Sequence, residues 1–233
     1  MRTKVKICCI KSIEEAHAAI EFGASALGLV STMPSGPGIV DEAVIAQIAR
    51  SVPPPIATFL LTSAVDSEEI VAQQRRCGTN TLQLCDHLPP STYPTIRNAL
   101  PGIKLVQVVH VEDMESVDYA VSAAEHVDAL LLDSGRLSAP IKELGGTGRT
   151  HDWGLSRKIR DAIKIPLFLA GGLTEENVAE AIRLVEPFGI DLCSSVRTAD
   201  SLDFEKLGAF FAAIPNAPNK AAHTNPLPES RFK

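Results

Sequence analysis

The amino-acid sequence predicts a (β/α)8 barrel, on three observations. Short apolar runs of strand length alternate with longer amphipathic stretches from Val5 to about Ile214. Several runs are near-continuously apolar, the pattern of parallel strands covered on both faces. Roughly eight such β-then-α units fit within the 233 residues, a length that suits one closed barrel. The competing architecture, an open doubly wound sheet, commonly carries a Gly-rich turn after its first strand. Here the first run leads into Cys8-Cys9-Ile10-Lys11-Ser12, without glycine, and the Gly-rich turns fall late in the chain.

The first strand is read as Val5–Ile10, with Lys6, Cys8 and Ile10 at alternate positions and therefore on one face. Ser12, with Glu15 three residues on, forms a capping box; Ile13, Ala16, His17 and Ile20 keep helical spacing, and Gly23 closes that helix. Leu27–Val30 is the second strand, and Asp41 opens a helix carrying Val44, Ile45 and Ile48. Strand Ile56–Leu61 precedes helix Asp66–Arg76; strand Thr81–Cys85 precedes helix Ser91–Leu100. Strand Lys104–Val111 precedes helix Met114–Ala124, and strand Ala129–Asp133 precedes helix Asp152–Ile163. Pro166–Ala170 leads to helix Thr174–Val185. Gly189–Ser194 leads to helix Asp203–Ala213, whose stripe of Phe204, Leu207, Phe210, Phe211 and Ile214 faces a core. No internal boundary breaks the alternation, so residues 1–214 are expected as one domain. The Pro-rich stretch 215–233 reads as a flexible tail.

Composition narrows the function. Hydrophobic residues are 45% and charged residues 21%, which excludes wholesale disorder. The net charge of −6 argues against a general grip on nucleic acid or an anionic membrane. No apolar run approaches the roughly 18–20 residues needed to cross a bilayer, and Met1-Arg2-Thr3-Lys4 leads straight into a strand without a signal-peptide stretch. Cys8, Cys9, Cys77, Cys85 and Cys193 are odd in number and irregularly spaced, so no secreted disulfide framework is expected and a reducing cytoplasm is. The histidines form no metal-ligand spacing, and no metal is expected.

In such a barrel, chemistry sits at the C-terminal strand ends and the loops after them. Two late loops stand out. Gly171-Gly172 lies between a strand and a helix, and Ser194-Ser195 follows the next strand. Glycine lets backbone approach a ligand, and a helix start offers free N–H groups, so the pair predicts a phosphate site; an ordinary tight turn is the plainer reading. Asp133 ends the run Ala129-Leu130-Leu131-Leu132, where a carboxylate is paired, solvated or functional, or caps the turn at Ser134-Gly135. Cys8 is either core or, near a cation at a strand end, an activated thiol.

The chain resembles the phosphoribosylanthranilate isomerases of tryptophan biosynthesis. The resemblance rests on Val5-Lys6-Ile7-Cys8, on Gly23 to Val30, and on Leu130-Leu131-Leu132-Asp133-Ser134. It continues through Gly145-Gly146-Thr147-Gly148 with Asp152-Trp153, Leu169 to Leu173 with Asn177-Val178, and Asp191 to Val196. It implies a cofactor-free, metal-free Amadori rearrangement of N-(5-phosphoribosyl)anthranilate to its 1-deoxyribulose 5-phosphate product. By the same resemblance Cys8 is the base and Asp133 the acid. Gly171, Gly172, Ser194 and Ser195 would hold the phosphate, and Gly145, Gly146, Thr147 and Gly148, with Arg149 beside them, would cover the substrate. The partner implied is a phosphorylated small molecule, handled by a monomer or homodimer.

The chain also departs from the family. Cys9 stands where a glycine is usual, Ser195 replaces another glycine and Arg197 a glutamate. The fourth strand ends in Gln83-Leu84-Cys85-Asp86 in place of Gln-Leu-His-Gly. The loop Met33-Pro34-Ser35-Gly36-Pro37-Gly38 lacks the arginine that grips the substrate carboxylate, which leaves Lys11, Arg136, Arg149 and Arg197 as candidates, Arg149 first and Arg136 second. Two other readings follow: a phosphosugar barrel with another aglycone, or a non-catalytic barrel that binds a phosphorylated metabolite.

Overall fold

Each apolar strand is covered twice, by helices outside and by facing side chains inside, which is why Val, Ile and Leu crowd positions of both parities. The computed structural model describes residues 3–215. Its strands are β1 (Lys4–Ile7), β2 (Ala26–Val30), β3 (Ala57–Thr62), β4 (Thr81–Leu84), β5 (Lys104–His110), β6 (Ala129–Asp133), β7 (Leu167–Leu169) and β8 (Gly189–Leu192). They form a closed parallel barrel in chain order. The barrel closes where β8 pairs with β1, Lys4 to Ile7 lying against Gly189 to Leu192. The helices are α1 (Ile13–Phe22), α2 (Glu42–Ser51), α3 (Ser67–Cys77), α4 (Thr92–Ala99), α5 (Glu115–Ala124), α6 (Trp153–Ala162), α7 (Val178–Val185) and α8 (Phe204–Ala213). Among the described residues, no helix is long and apolar enough to cross a membrane.

Two apolar shells result. The outer one, between sheet and helices, holds residues such as Ile7, Leu29, Ile45, Leu60, Ile70 and Leu82, all essentially fully buried. The inner one, within the barrel, stacks Ala26, Phe59, Val106, Leu131 and Phe168, with Phe59 and Phe168 edge to face at 5.9 Å. Lys6 and Asp191 interrupt this inner shell as a buried ion pair at 2.9 Å.

The structure corrects four expectations. First, β1 ends at Ile7, not Ile10, because Cys9 adopts a left-handed backbone (φ 63°) that turns the chain. Lys6 and Cys8 therefore stay in the barrel interior, while Ile10 is thrown into the outer shell. Second, α7 begins at Val178 rather than Thr174. The Asn177 side chain accepts from Thr174 N (2.8 Å) and donates to the Gly172 carbonyl (2.9 Å), building a turn where the helix was expected. Third, β8 is followed by a 3-10 turn, Ser194–Val196, and a ribbon of β9 (Arg197–Thr198) and β10 (Ser201–Leu202). Fourth, the odd and irregular cysteines, from which no disulfide framework and a reducing setting are expected, include one bonded pair. Cys9 and Cys193, 184 residues apart, form a disulfide with Cα atoms 5.9 Å apart, and Cys8, Cys77 and Cys85 are free thiols. Of the expected flexible tail, 215–233, all but Pro215 lies outside the described residues.

Candidate active site

Cys8 follows β1 directly. Its backbone N–H donates to the Leu192 carbonyl (2.7 Å), which holds the end of β1 against β8, and its thiol points into the barrel mouth. Burial pushes that thiol up to about 11, although the neighbouring Lys6 ammonium pulls the other way. Gly28 on β2 makes the thiol's space: a Cβ there would lie 2.7 Å from Cys8 Sγ and 2.9 Å from Lys6 Nζ. Lys6 is wholly buried. Burial opposes its charge, but Asp191, Cys8 and Cys85 together outweigh that and hold the ammonium above its usual range.

Asp133 ends β6 and lines the same mouth cavity, a space of about 690 Å³ including its open side. One carboxylate oxygen accepts from Ser134 N (2.7 Å), so the turn-cap reading describes half of the group. The other lies directly beneath Gly145, whose left-handed backbone (φ 123°) leaves no room for a side chain over the carboxylate. Burial raises the Asp133 carboxyl above its ordinary range, against the Ser134 N–H and the charges of His110 and Lys6. The site thus offers a thiol and a protonatable carboxyl lining one cavity, the equipment for moving two protons.

The loop after β6 closes over this cavity. Gly145, Gly146, Thr147 and Gly148 all line it, and Thr147 Oγ1 is hydrogen-bonded to Ser134 Oγ (2.7 Å). Gly171 and Gly172, both left-handed (φ 83° and 60°), line it from β7, and Ser194 and Ser195 from the turn after β8. The two turns predicted to hold phosphate therefore face one space, although α7 starts too late to aim its first turn from Gly172. Gly148 lies against Ser194, a Cβ there falling 3.6 Å from Ser194 Oγ.

The expected cations do not line this cavity. Arg149, placed with the covering loop by the sequence, pairs with Glu143 and lines a neighbouring cleft together with Arg136. Its backbone, not its charge, reaches the site: a Cβ on Gly172 would fall 2.6 Å from the Arg149 carbonyl carbon. Arg197 is buried and bound to Glu15 (2.9 Å) and to the Asp200 carbonyl (2.8 Å), and Lys11 is bound to Asp200. Asp191, which sequence reasoning did not single out as a functional group, also lines the cavity. Its Oδ2 takes Lys6, and its Oδ1 is buried without a hydrogen-bond partner. The signal for it is the strand alternation itself, which puts Asp191 on the inward face of β8. Among the described residues, no group of three or more His, Cys, Asp or Glu is placed to hold a metal ion.

A family model described as N-(5'-phosphoribosyl)anthranilate (PRA) isomerase matches residues 5–213. The N-(5'-phosphoribosyl)anthranilate isomerase of Haloarcula marismortui is 36% identical, with 94% of this chain and 99% of that one covered. That of Thermosynechococcus vestitus is 33% identical, with 99% and 96% covered. Among solved structures, the phosphoribosylanthranilate isomerase of Thermotoga maritima superposes with a TM-score of 0.77 at 28% identity, covering 91% of this chain and 98% of that one. A phosphoribosylanthranilate isomerase in complex with reduced 1-(o-carboxyphenylamino)-1-deoxyribulose 5-phosphate gives 0.73 at 27% identity, covering 89% and 96%.

Proposed function

The chain belongs to the N-(5'-phosphoribosyl)anthranilate isomerase family, and from that premise we propose that Cys8 is the base and Asp133 the acid of its aldose-to-ketose isomerisation in tryptophan biosynthesis. The observation that supports this reading is that one free thiol and one raised carboxyl line a single mouth cavity. Asp133, its carboxyl raised above the ordinary range by burial, gives its proton to the ribose ring oxygen as the C1–O bond breaks. The anthranilate nitrogen's lone pair stabilises the cation left at C1. Cys8 takes the proton from C2, and the enolamine so formed becomes the 2-ketone as C1 gains a proton and the 2-hydroxyl loses one. Asp191 Oδ1, an acceptor buried without a partner, suits a ribose hydroxyl; filling such an orphan acceptor is worth more than adding a bond in water.

Gly171, Gly172, Ser194 and Ser195 hold the 5'-phosphate in this reading, chiefly through backbone N–H groups, and the 145–148 loop covers the bound sugar. The cavity wall carries no arginine or lysine for the anthranilate carboxylate. The loops around it do carry Lys142, whose carbonyl accepts from Ser35 Oγ (2.7 Å) and whose ammonium pairs with Asp86 (2.5 Å). A cytoplasmic enzyme, monomeric or homodimeric, acting on a phosphorylated small molecule fits this biosynthetic role.

The test is a steady-state assay with phosphoribosylanthranilate. Cys8→Ala and Asp133→Asn should each lower kcat by roughly 10²–10⁴-fold, the usual worth of a positioned acid or base, with KM little changed. Wild-type activity that survives both substitutions would remove the assignment.

A further inference from the structure

Cys9 and Cys193 have no part in the acid–base chemistry, yet they join the two loops on which it depends. Cys9 directly follows the proposed base, and Cys193 directly precedes Ser194-Ser195. The bond between them therefore ties the end of β1 to the turn read above as half of the phosphate cradle. Both cysteines line the mouth cavity, and Cys193 is partly exposed there while Cys9 is buried. We propose that Cys9 and Cys193 are a reversible redox site, oxidised by small-molecule disulfides entering through the barrel mouth, and that the bonded state binds the phosphorylated substrate more tightly.

The exchange balances without any other oxidant. The Cys193 thiolate, the reachable one, attacks a reagent disulfide RSSR, forms a mixed disulfide and releases one RS⁻. The Cys9 thiolate then attacks the Cys193 sulfur, the protein bond forms and the second RS⁻ leaves. The two released thiolates take up the protons that the two cysteines lost, and two electrons pass from the cysteine pair to the reagent. Cys8 is a poor competitor for this exchange, being a buried thiol whose acidity is weakened by burial.

The consequence for binding follows from which side can move. Bonded sulfurs sit about 2.05 Å apart, and unbonded ones must separate to van der Waals distance. Cys9 has little freedom. Its backbone is left-handed, and Gly38 packs so closely that a Cβ there would fall 2.8 Å from Cys9 Cα and 2.9 Å from its sulfur. Cys193 must take up the separation, and the next residues along the chain are Ser194 and Ser195. Reduction therefore loosens the phosphate turn without touching Cys8 or Asp133.

This consequence rests on the phosphate reading, so the test keeps the two apart. The full-length protein is poised with oxidised or with reduced glutathione, free thiols are alkylated, and peptides are mapped by mass. Binding of ribose 5-phosphate is measured calorimetrically in both states, alongside KM and kcat. With alkylation carried out in denaturant, expected are a linked Cys9–Cys193 peptide after oxidation, with Cys8 alkylated in both states, and loss of that link on reduction. The dissociation constant and KM should rise about 3- to 10-fold on reduction, the usual cost of ordering one or two mobile groups, with kcat within twofold. Cys193→Ser should behave like the reduced protein under either condition, and Cys9→Gly, which relieves the left-handed backbone, should do the same. A protein that stays unlinked in oxidised glutathione, or a linked protein that binds ribose 5-phosphate no better than the reduced one, overturns the proposal. Binding that responds to redox state without turnover would uphold it and count instead against the isomerase reading.

Discussion

As the proposed base, Cys8 must give up a proton where the surroundings disfavour the thiolate. Burial holds the thiol up at about 11, with Lys6 as the counterweight, while burial also lifts Asp133. The working form needs the opposite protonation in each group: thiolate on Cys8 and acid on Asp133. That form is a minority species whose share stays constant between the two titrations, so kcat/KM should be level from above the Asp133 titration to about pH 10. It should fall on the acid side as both groups become protonated, and above about pH 11 as Asp133 and Cys8 are both ionised. A pH–rate profile checks this, and an alkaline limb near pH 8 would show that Cys8 is not the group titrating. Cys8 and Asp133 were legible in the sequence as strand-end residues. The neutralised surroundings that tune them were not, because Lys6, Gly28 and Asp191 come from three strands and meet only when the barrel closes.

At the scale of elements, the loops are less completely legible in the sequence than the strands. The alternation of apolar runs gave the strand positions because a doubly covered strand leaves a continuous apolar record. The turn after β7 left no such record. Asn177 replaces the first helical turn with side-chain bonds to Thr174 N and the Gly172 carbonyl, so the helix starts four residues late. What shapes this turn, the proposed phosphate site, is then contact with the neighbouring loop, where the Arg149–Thr150 backbone crosses Gly172. An added Cβ would lie 2.6 Å from both the Arg149 carbonyl carbon and Thr150 N, on a residue with φ of 60°. Gly172→Ala must push the two loops apart. KM for phosphoribosylanthranilate should rise about 10- to 100-fold, the loss of one charge-assisted contact, with kcat less affected. Unchanged KM, measured by steady-state kinetics, would place the phosphate elsewhere. Arg149 itself is tied to Glu143, so its side chain was overvalued as a cation for the site.

The barrel closes along one seam, and the seam passes through the candidate active site. β1 and β8 come from opposite ends of the chain, and in their register Lys6 stands directly beside Asp191. That adjacency is invisible in a linear sequence, since nothing local to either residue announces the other. The ion pair is buried and wholly inside the barrel, where desolvation consumes most of its attraction. Its removal in halves and as a whole should therefore give different results. Lys6→Met strands Asp191 as an uncompensated buried charge and should cost roughly 3–5 kcal/mol of stability. Lys6→Met with Asp191→Leu leaves an apolar seam of similar bulk and should recover most of that loss. Activity should not follow stability. The double variant has no cation beside Cys8 and no acceptor at Asp191 Oδ1, so it should fold well and turn over poorly. Denaturant midpoints at constant slope read the first quantity, and kcat/KM reads the second. If the double variant is no more stable than Lys6→Met, the pair holds the barrel shut; if it regains both stability and turnover, Lys6 and Asp191 have no part in the chemistry. The outcome expected here, recovery of one without the other, is what a closing seam kept charged for its active site would give.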